Sequence, residues 1–140
     1  MTVDKQFIKV YDMIFNWILE TQGLDQLVKF WRYLAPTILE DMVKMVKENG
    51  LKGCADYWYK TLTEEKARFT LDIDPKILKL NITECPAIKV LNQPKCPEYC
   101  RHCAILYAAV LEPLGYVYSW KRTGGGRCEI SVTKREEGGI

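Results

Sequence analysis

The most reactive side chains of this chain are six thiols and one imidazole. Five of the cysteines, Cys85, Cys96, Cys100, Cys103 and Cys128, fall in the second half of the sequence around His102. A thiolate attacks electrophilic carbon or ligates soft metal ions, whereas paired thiols oxidise to disulfides. Disulfides are not expected, because the N-terminus lacks the basic-then-apolar pattern of an export signal and the chain is long enough to build a core without staples. Cys54 stands apart from the others and is expected in the core.

Four of these residues sit on one predicted helix. The run from Pro97 to Glu112 has helical spacing, with Cys96 at the N-cap and Pro97 at the first helical position. Cys100, Cys103, Tyr107 and Leu111 then share a face. A helix N-terminus carries partial positive charge and lowers the pKa of a nearby thiol, so Cys96 and Cys100 are the candidates for an activated nucleophile. The alternative is packing, since unpaired cysteine is among the most buried residue types. His102 lies two residues after Cys100, about 200° around the helix, and does not face it. Glu98, four residues earlier, does share a face with His102 and is expected to orient its ring. The thiol that His102 activates would then be Cys85 or Cys128. For a lone histidine the competing account is a side chain with no chemical role.

A metal is the competing use of the same side chains: Cys85, Cys96, Cys100, His102, Cys103 and Cys128 are all soft or borderline donors suited to zinc. Only one C-x2-C knuckle is present, Cys100 to Cys103, where structural zinc sites use two. The spacing Cys96, Cys100, Cys103 also matches the iron–sulfur ligands of radical S-adenosylmethionine enzymes. Those enzymes carry their cysteines in a loop of a much longer α/β barrel, so the match is accidental. No cofactor is expected, with zinc or an iron–sulfur cluster as the minority alternative.

The elements that must position these residues follow from periodicity. Phe7, Val10, Tyr11, Ile14, Trp17 and Ile18 recur at helical spacing and predict a first helix over about residues 3 to 20 with one apolar stripe. Leu24 to Asn49 reads as one kinked helix or two abutting ones, with Pro36 suited to a first turn. Glu48-Asn49-Gly50 is a stop, and helix resumes from Leu51 to Glu65. From Ala67 the period becomes two, giving strands over about 67–74, 77–84, 116–122 and 127–134. Residues 85–95 read as irregular. The fold class is therefore α+β, with N-terminal helices (1–66) packed on a ββαββ four-stranded antiparallel sheet (67–134) in a single domain over 1–140, and a tail over 135–140 that frays. Cys128 is expected on the face of Ile130 and Val132, toward the helix.

Composition narrows the partners. The net charge is +2, from 20 basic and 18 acidic residues that are interspersed, which is not the electrostatic footprint of a nucleic-acid binder. No apolar run is long enough to span a bilayer, so neither nucleic acid nor membrane is an expected partner and the expected location is cytoplasmic. Trp17, Trp31 and Trp58 make the helical half a candidate homodimer surface, or else they are core.

The stretches Glu84-Cys85-Pro86, Tyr99-Cys100-Arg101-His102-Cys103, Leu111-Glu112-Pro113-Leu114-Gly115-Tyr116 and Gly126-Arg127-Cys128-Glu129 resemble the C-terminal half of the bacterial proteins grouped as L-2-amino-thiazoline-4-carboxylic acid hydrolase-like. Gly50-Leu51-Lys52-Gly53 and Tyr57-Trp58 are similar to that group as well. The closing hairpin also resembles the end of 4-vinyl reductase-type ligand-binding domains. Cys96 falls in an insertion outside the family pattern. The resemblance implies a small hydrolase that opens a sulfur heterocycle to an N-carbamoyl amino acid. Its catalytic residues would come from Cys100, His102, Cys85 and Glu98, and its substrate contacts from Tyr99, Cys103 and Cys128. In the covalent version a cysteine attacks carbon, His102 shuttles the proton with Glu98 orienting it, and helix-start N–H groups stabilise the developing charge. The alternative is a small-molecule sensor that uses the same cavity without turnover. Cys85, Cys100, Cys103 and Cys128 are expected to converge in either case.

Overall fold

The computed structural model describes residues 5–135, and the order is three helices, a hairpin, two helices and a second hairpin. Helix α1 spans Lys5–Gln22, and residues 3 and 4 of its expected start lie outside the described residues. Its inward face is not the expected stripe. Ile8, Asp12, Phe15 and Ile18 are buried, whereas Phe7, Val10, Tyr11, Ile14 and Trp17 are exposed. The reason lies in Asp12, which is only 3% exposed. Its carboxylate accepts the backbone N–H of Lys95 at 2.8 Å and of Cys96 at 2.9 Å, and that pair of hydrogen bonds to a distant loop turns its own face of the helix inward.

Helix α2, Leu24–Ile38, buries Leu27, Trp31 and Ala35. Pro36 is in its last turn, not a first one, and the chain leaves helical geometry at Leu39. Helix α3, Glu40–Glu64, breaks at Gly50, where the stop was expected, with φ 62° and ψ −137°. Only glycine adopts that conformation without strain. The break brings Gly53 against the Met45 carbonyl so closely that a Cβ there would sit 2.0 Å from the oxygen.

Strands β1 (Arg68–Ile73), β2 (Ile77–Glu84), β3 (Tyr116–Gly124) and β4 (Arg127–Lys134) form one antiparallel sheet in the order β1-β2-β4-β3. The registers set Leu80 across from Leu71 on one side and Ile130 on the other, and Ile130 across from Trp120. One face therefore carries Leu78, Leu80, Ile82, Cys128, Ile130, Val132, Tyr118 and Trp120, as period-two alternation requires. Cys128 lies on that face and Glu129 is exposed on the other. The apolar face meets α3 on β1, β2 and β4 and meets α5 (Tyr99–Leu111) on β3, while α2 packs on the far side of α5 and α1 packs on α2.

Two local expectations change. Within the segment read as irregular, Pro86–Leu91 form a short helix, α4, with Pro86 in its first turn. Helix α5 begins two residues later than expected, with Glu98 at its N-cap, so Cys96 lies in the preceding turn and offers its carbonyl to the Tyr99 N–H at 3.1 Å. Arg135, at the start of the segment expected to fray, donates its N–H to Gly115 at 2.8 Å, and residues 136–140 lie outside the described residues. No helix among the described residues is long and apolar enough to cross a membrane.

The Gly53 contact is a sharp constraint. Gly53→Ala is expected to cost about 3 kcal/mol or more in urea unfolding, because the offending atom is backbone and cannot rotate away. Gly125→Ala, where an added Cβ meets nothing within 4 Å, should stay within about 0.5 kcal/mol.

Candidate functional site

The thiols converge where α5 crosses the ends of the two hairpins. Strand β2 runs out at Glu84, and Cys85 then caps α4 while its N–H bonds Gly126 of the β3–β4 turn at 3.0 Å. Cys128 opens β4 directly across from Ile82 and Arg122. Cys103 is the hub: a charge on it acts on Cys85, Cys100 and Cys128, and on the hydroxyls of Tyr99, Tyr107 and Tyr118. Three elements thus bring four sulfurs together, and Cys54 and Cys96 are not among them. Cys54 is core, and Cys96 is buried toward α1 beside Asp12.

The thiols are not activated. Burial pushes Cys103 and Cys128 up to about 12 and Cys85 to about 11, and it also raises Cys96 and Cys100. Lowering influences exist but are smaller. The Ile88 and Ala87 N–H groups point at Cys85, Arg122 lies near Cys100, and the Trp120 side chain hydrogen-bonds Cys128. At Cys96 and Cys100, the expected nucleophiles, loss of water thus works against the helix-start field and favours the thiol.

His102 is also placed differently from expectation. Glu98 does not orient it, since that carboxylate pairs with Arg101 at 2.8 Å. The imidazole lies among Phe15, Trp31 and Tyr99, with ring centroids 5.1, 6.1 and 4.7 Å away. Its Nδ1 bonds the Tyr99 carbonyl. A carbonyl only accepts, so Nδ1 carries the proton and Nε2 is bare in the neutral ring. The bare nitrogen faces Cys103 Sγ at 3.7 Å, so the partner is the adjacent residue and not Cys85 or Cys128. Burial holds His102 down to about 4, which keeps the pair neutral.

Aromatic side chains and one carboxylate complete the site. Tyr107 on α5 stands edge-on to Trp58 with centroids 5.3 Å apart, and Tyr118 is 6.1 Å from Tyr107. The Tyr118 hydroxyl and the Trp58 indole N–H are buried without a hydrogen-bond partner. Glu65 is pushed up by burial and lies within electrostatic reach of Cys103 and Tyr107. Periodicity does place Tyr118 and Trp120 on the face of Cys128, whereas nothing in the local sequence marks Glu65.

Of the four thiols, Cys85 alone lines an open recess of about 560 Å³, bounded also by Arg68, Glu84, Lys89 and Arg127. Glu84 is paired there with Arg68 at 3.2 Å and Lys89 at 3.6 Å. A second concavity of about 400 Å³ lies on the outer face of the sheet and has no thiol in its lining. Among the described residues no three His, Cys, Asp or Glu side chains are arranged to hold a metal ion.

Two outcomes follow for stability. The folded His102 is depressed relative to an unfolded imidazole near 6.5, so the unfolded chain takes up a proton first and stability falls as pH drops from about 6.5 toward about 4. The thiols are raised from 9.0, so the unfolded chain loses protons first and stability falls as pH climbs from about 9 toward about 12. Urea midpoints against pH should show a plateau between these limbs, and His102→Gln should flatten the stretch between pH 6.5 and 5. Asp12→Ala should cost about 3 kcal/mol by stranding two backbone N–H groups, against about 0.5 kcal/mol or less for the exposed Asp56→Ala. Against family models, curated proteins and solved structures the chain gives no match, and the site rests on its own residues.

Proposed function

We propose that the junction of α5 with the hairpin ends binds a compact polar heterocycle or amide, and that the domain recognises this small molecule without thiolate attack. The observation that supports this reading best is the unpartnered buried hydroxyl of Tyr118 beside four converging thiols whose burial favours the protonated form. Protonated sulfurs are soft, polarisable walls with weak donors, suited to a sulfur- or nitrogen-containing ring. A buried hydroxyl without a partner costs free energy that a ligand acceptor recovers.

The hydrolase reading implied by the family resemblance retains one support, the contact between Cys103 and the bare Nε2 of His102. In that version His102 takes the Cys103 proton as the sulfur bonds to the electrophilic carbon, and returns it to the departing nitrogen or sulfur. Water then releases the product from the sulfur. The opposed shifts of the two groups, up for Cys103 and down for His102, set the ion pair well above the neutral pair and weigh against it.

L-2-Aminothiazoline-4-carboxylate separates the two. Binding without turnover is expected: the thermal midpoint rises with ligand, the ring absorbance stays constant, and Tyr118→Phe weakens binding roughly tenfold, the value of one lost hydrogen bond to a buried group. Ring opening that disappears in Cys103→Ala would establish the hydrolase instead. No midpoint shift with this compound or with a panel of neutral thiazolines and cyclic amides would remove both.

A further inference from the structure

Helix α1 has three faces. At 100° per residue, Ile8, Asp12, Phe15 and Ile18 lie on the side turned to the core, and Lys5, Lys9, Asn16 and Glu20 form a narrow polar strip. The remaining side, roughly 160° wide, faces water and is mainly apolar, with Gln6 and Thr21 as its polar members: Phe7 is 58% exposed, Met13 57% and Trp17 60%, with Val10, Tyr11 and Ile14 between them. A helix that is apolar on both sides is the pattern of one buried on both sides.

We propose that this face is the contact between two copies of the chain, packed with their α1 helices antiparallel about a two-fold axis between them, level with residue 12 but on the side opposite the buried Asp12. The positions themselves point to a second copy. The six exposed apolar residues are symmetric about residue 12, with Phe7 matched to Trp17, Val10 to Ile14 and Tyr11 to Met13. In an antiparallel pair whose two-fold axis lies between the helices at that level, each residue is level with its mate, with Val10 and Ile14 nearest the contact and Tyr11 and Met13 at its opposite edges, a self-complementary arrangement of the kind an isologous interface requires. Phe7 stacks on Tyr11 within one copy at 6.4 Å, so the aromatic end is already ordered.

The area agrees. At roughly 200 Å² for a full aromatic side chain and somewhat less for an aliphatic one, the six leave on the order of 550 Å² of apolar surface in water, the upper end for a monomer. Complete cover of this face on two copies would remove about 1,100 Å², against the approximately 1,000 Å² that a specific interface needs. The contact is independent of the thiol site, whose sulfurs lie on the other side of α5.

Sedimentation equilibrium of the whole chain tests it. A dimer with Kd in the micromolar range is expected, and Trp17→Glu should weaken it at least tenfold while Tyr33→Glu, an exposed change on α2, leaves it intact. Circular dichroism spectra and melting midpoints must match the parent, which exposed positions permit. Two double variants fix the geometry: Phe7→Lys/Trp17→Glu should associate at least tenfold more tightly than Phe7→Glu/Trp17→Glu, because only the antiparallel pairing brings 7 beside 17 of the other copy. A chain that stays monomeric at about 100 µM would overturn the proposal. So would a dimer indifferent to Trp17→Glu, equal association of the two double variants, or a monomer whose α1 instead binds phosphatidylcholine vesicles.

Discussion

Helix α5 is gripped from both sides, and the rest of the architecture depends on that grip. Its Cys103 and Tyr107 side looks to Tyr118 and the sheet, while His102 is enclosed by Phe15 of α1 and Trp31 of α2. Neighbours in sequence therefore enter different layers, and the contact between His102 and Cys103 bridges them. A side chain gripped in this way loses water, and for an ionisable group lost water is the dominant energy. That single cost accounts for the direction of every thiol shift and of the histidine shift.

The same cost explains why a familiar helix-end argument fails here. The field at a helix start is worth about 1 kcal/mol, whereas removing a charge from water costs several. Cys85 shows the balance directly, since two backbone N–H groups aim at its sulfur and its pKa still rises to about 11.

Much of the fold was legible because the sheet announces itself by period two. Leu78, Leu80 and Ile82, then Cys128, Ile130 and Val132, could lie on one face only, and Gly50 could only interrupt a helix. The inward face of α1 was not legible, because both of its sides are apolar and the deciding residue is an aspartate whose partners lie more than eighty positions away. Helix α4 escaped because six residues carry no usable periodicity. In the site, the shared face of Cys100 and Cys103 was readable, but the tether of His102 was not. A backbone carbonyl is present at every residue, so sequence cannot single out Tyr99 as the acceptor, and the most obvious carboxylate, Glu98, goes to Arg101.

The span of the Asp12 bonds also sets the order in which the molecule can be assembled. They close loops of 83 and 84 residues, and neither exists until the loop before α5 has been made and both hairpins' shared helix has begun to dock. Closing so long a loop is entropically slow, and contacts of high sequence separation form late. During synthesis α1 emerges ahead of the elements that cover it and waits for them with both of its apolar sides open to water. The nascent chain therefore passes through a sticky stage that the finished fold only half resolves, and early encounters between chains at that helix are the natural point at which folding and aggregation compete.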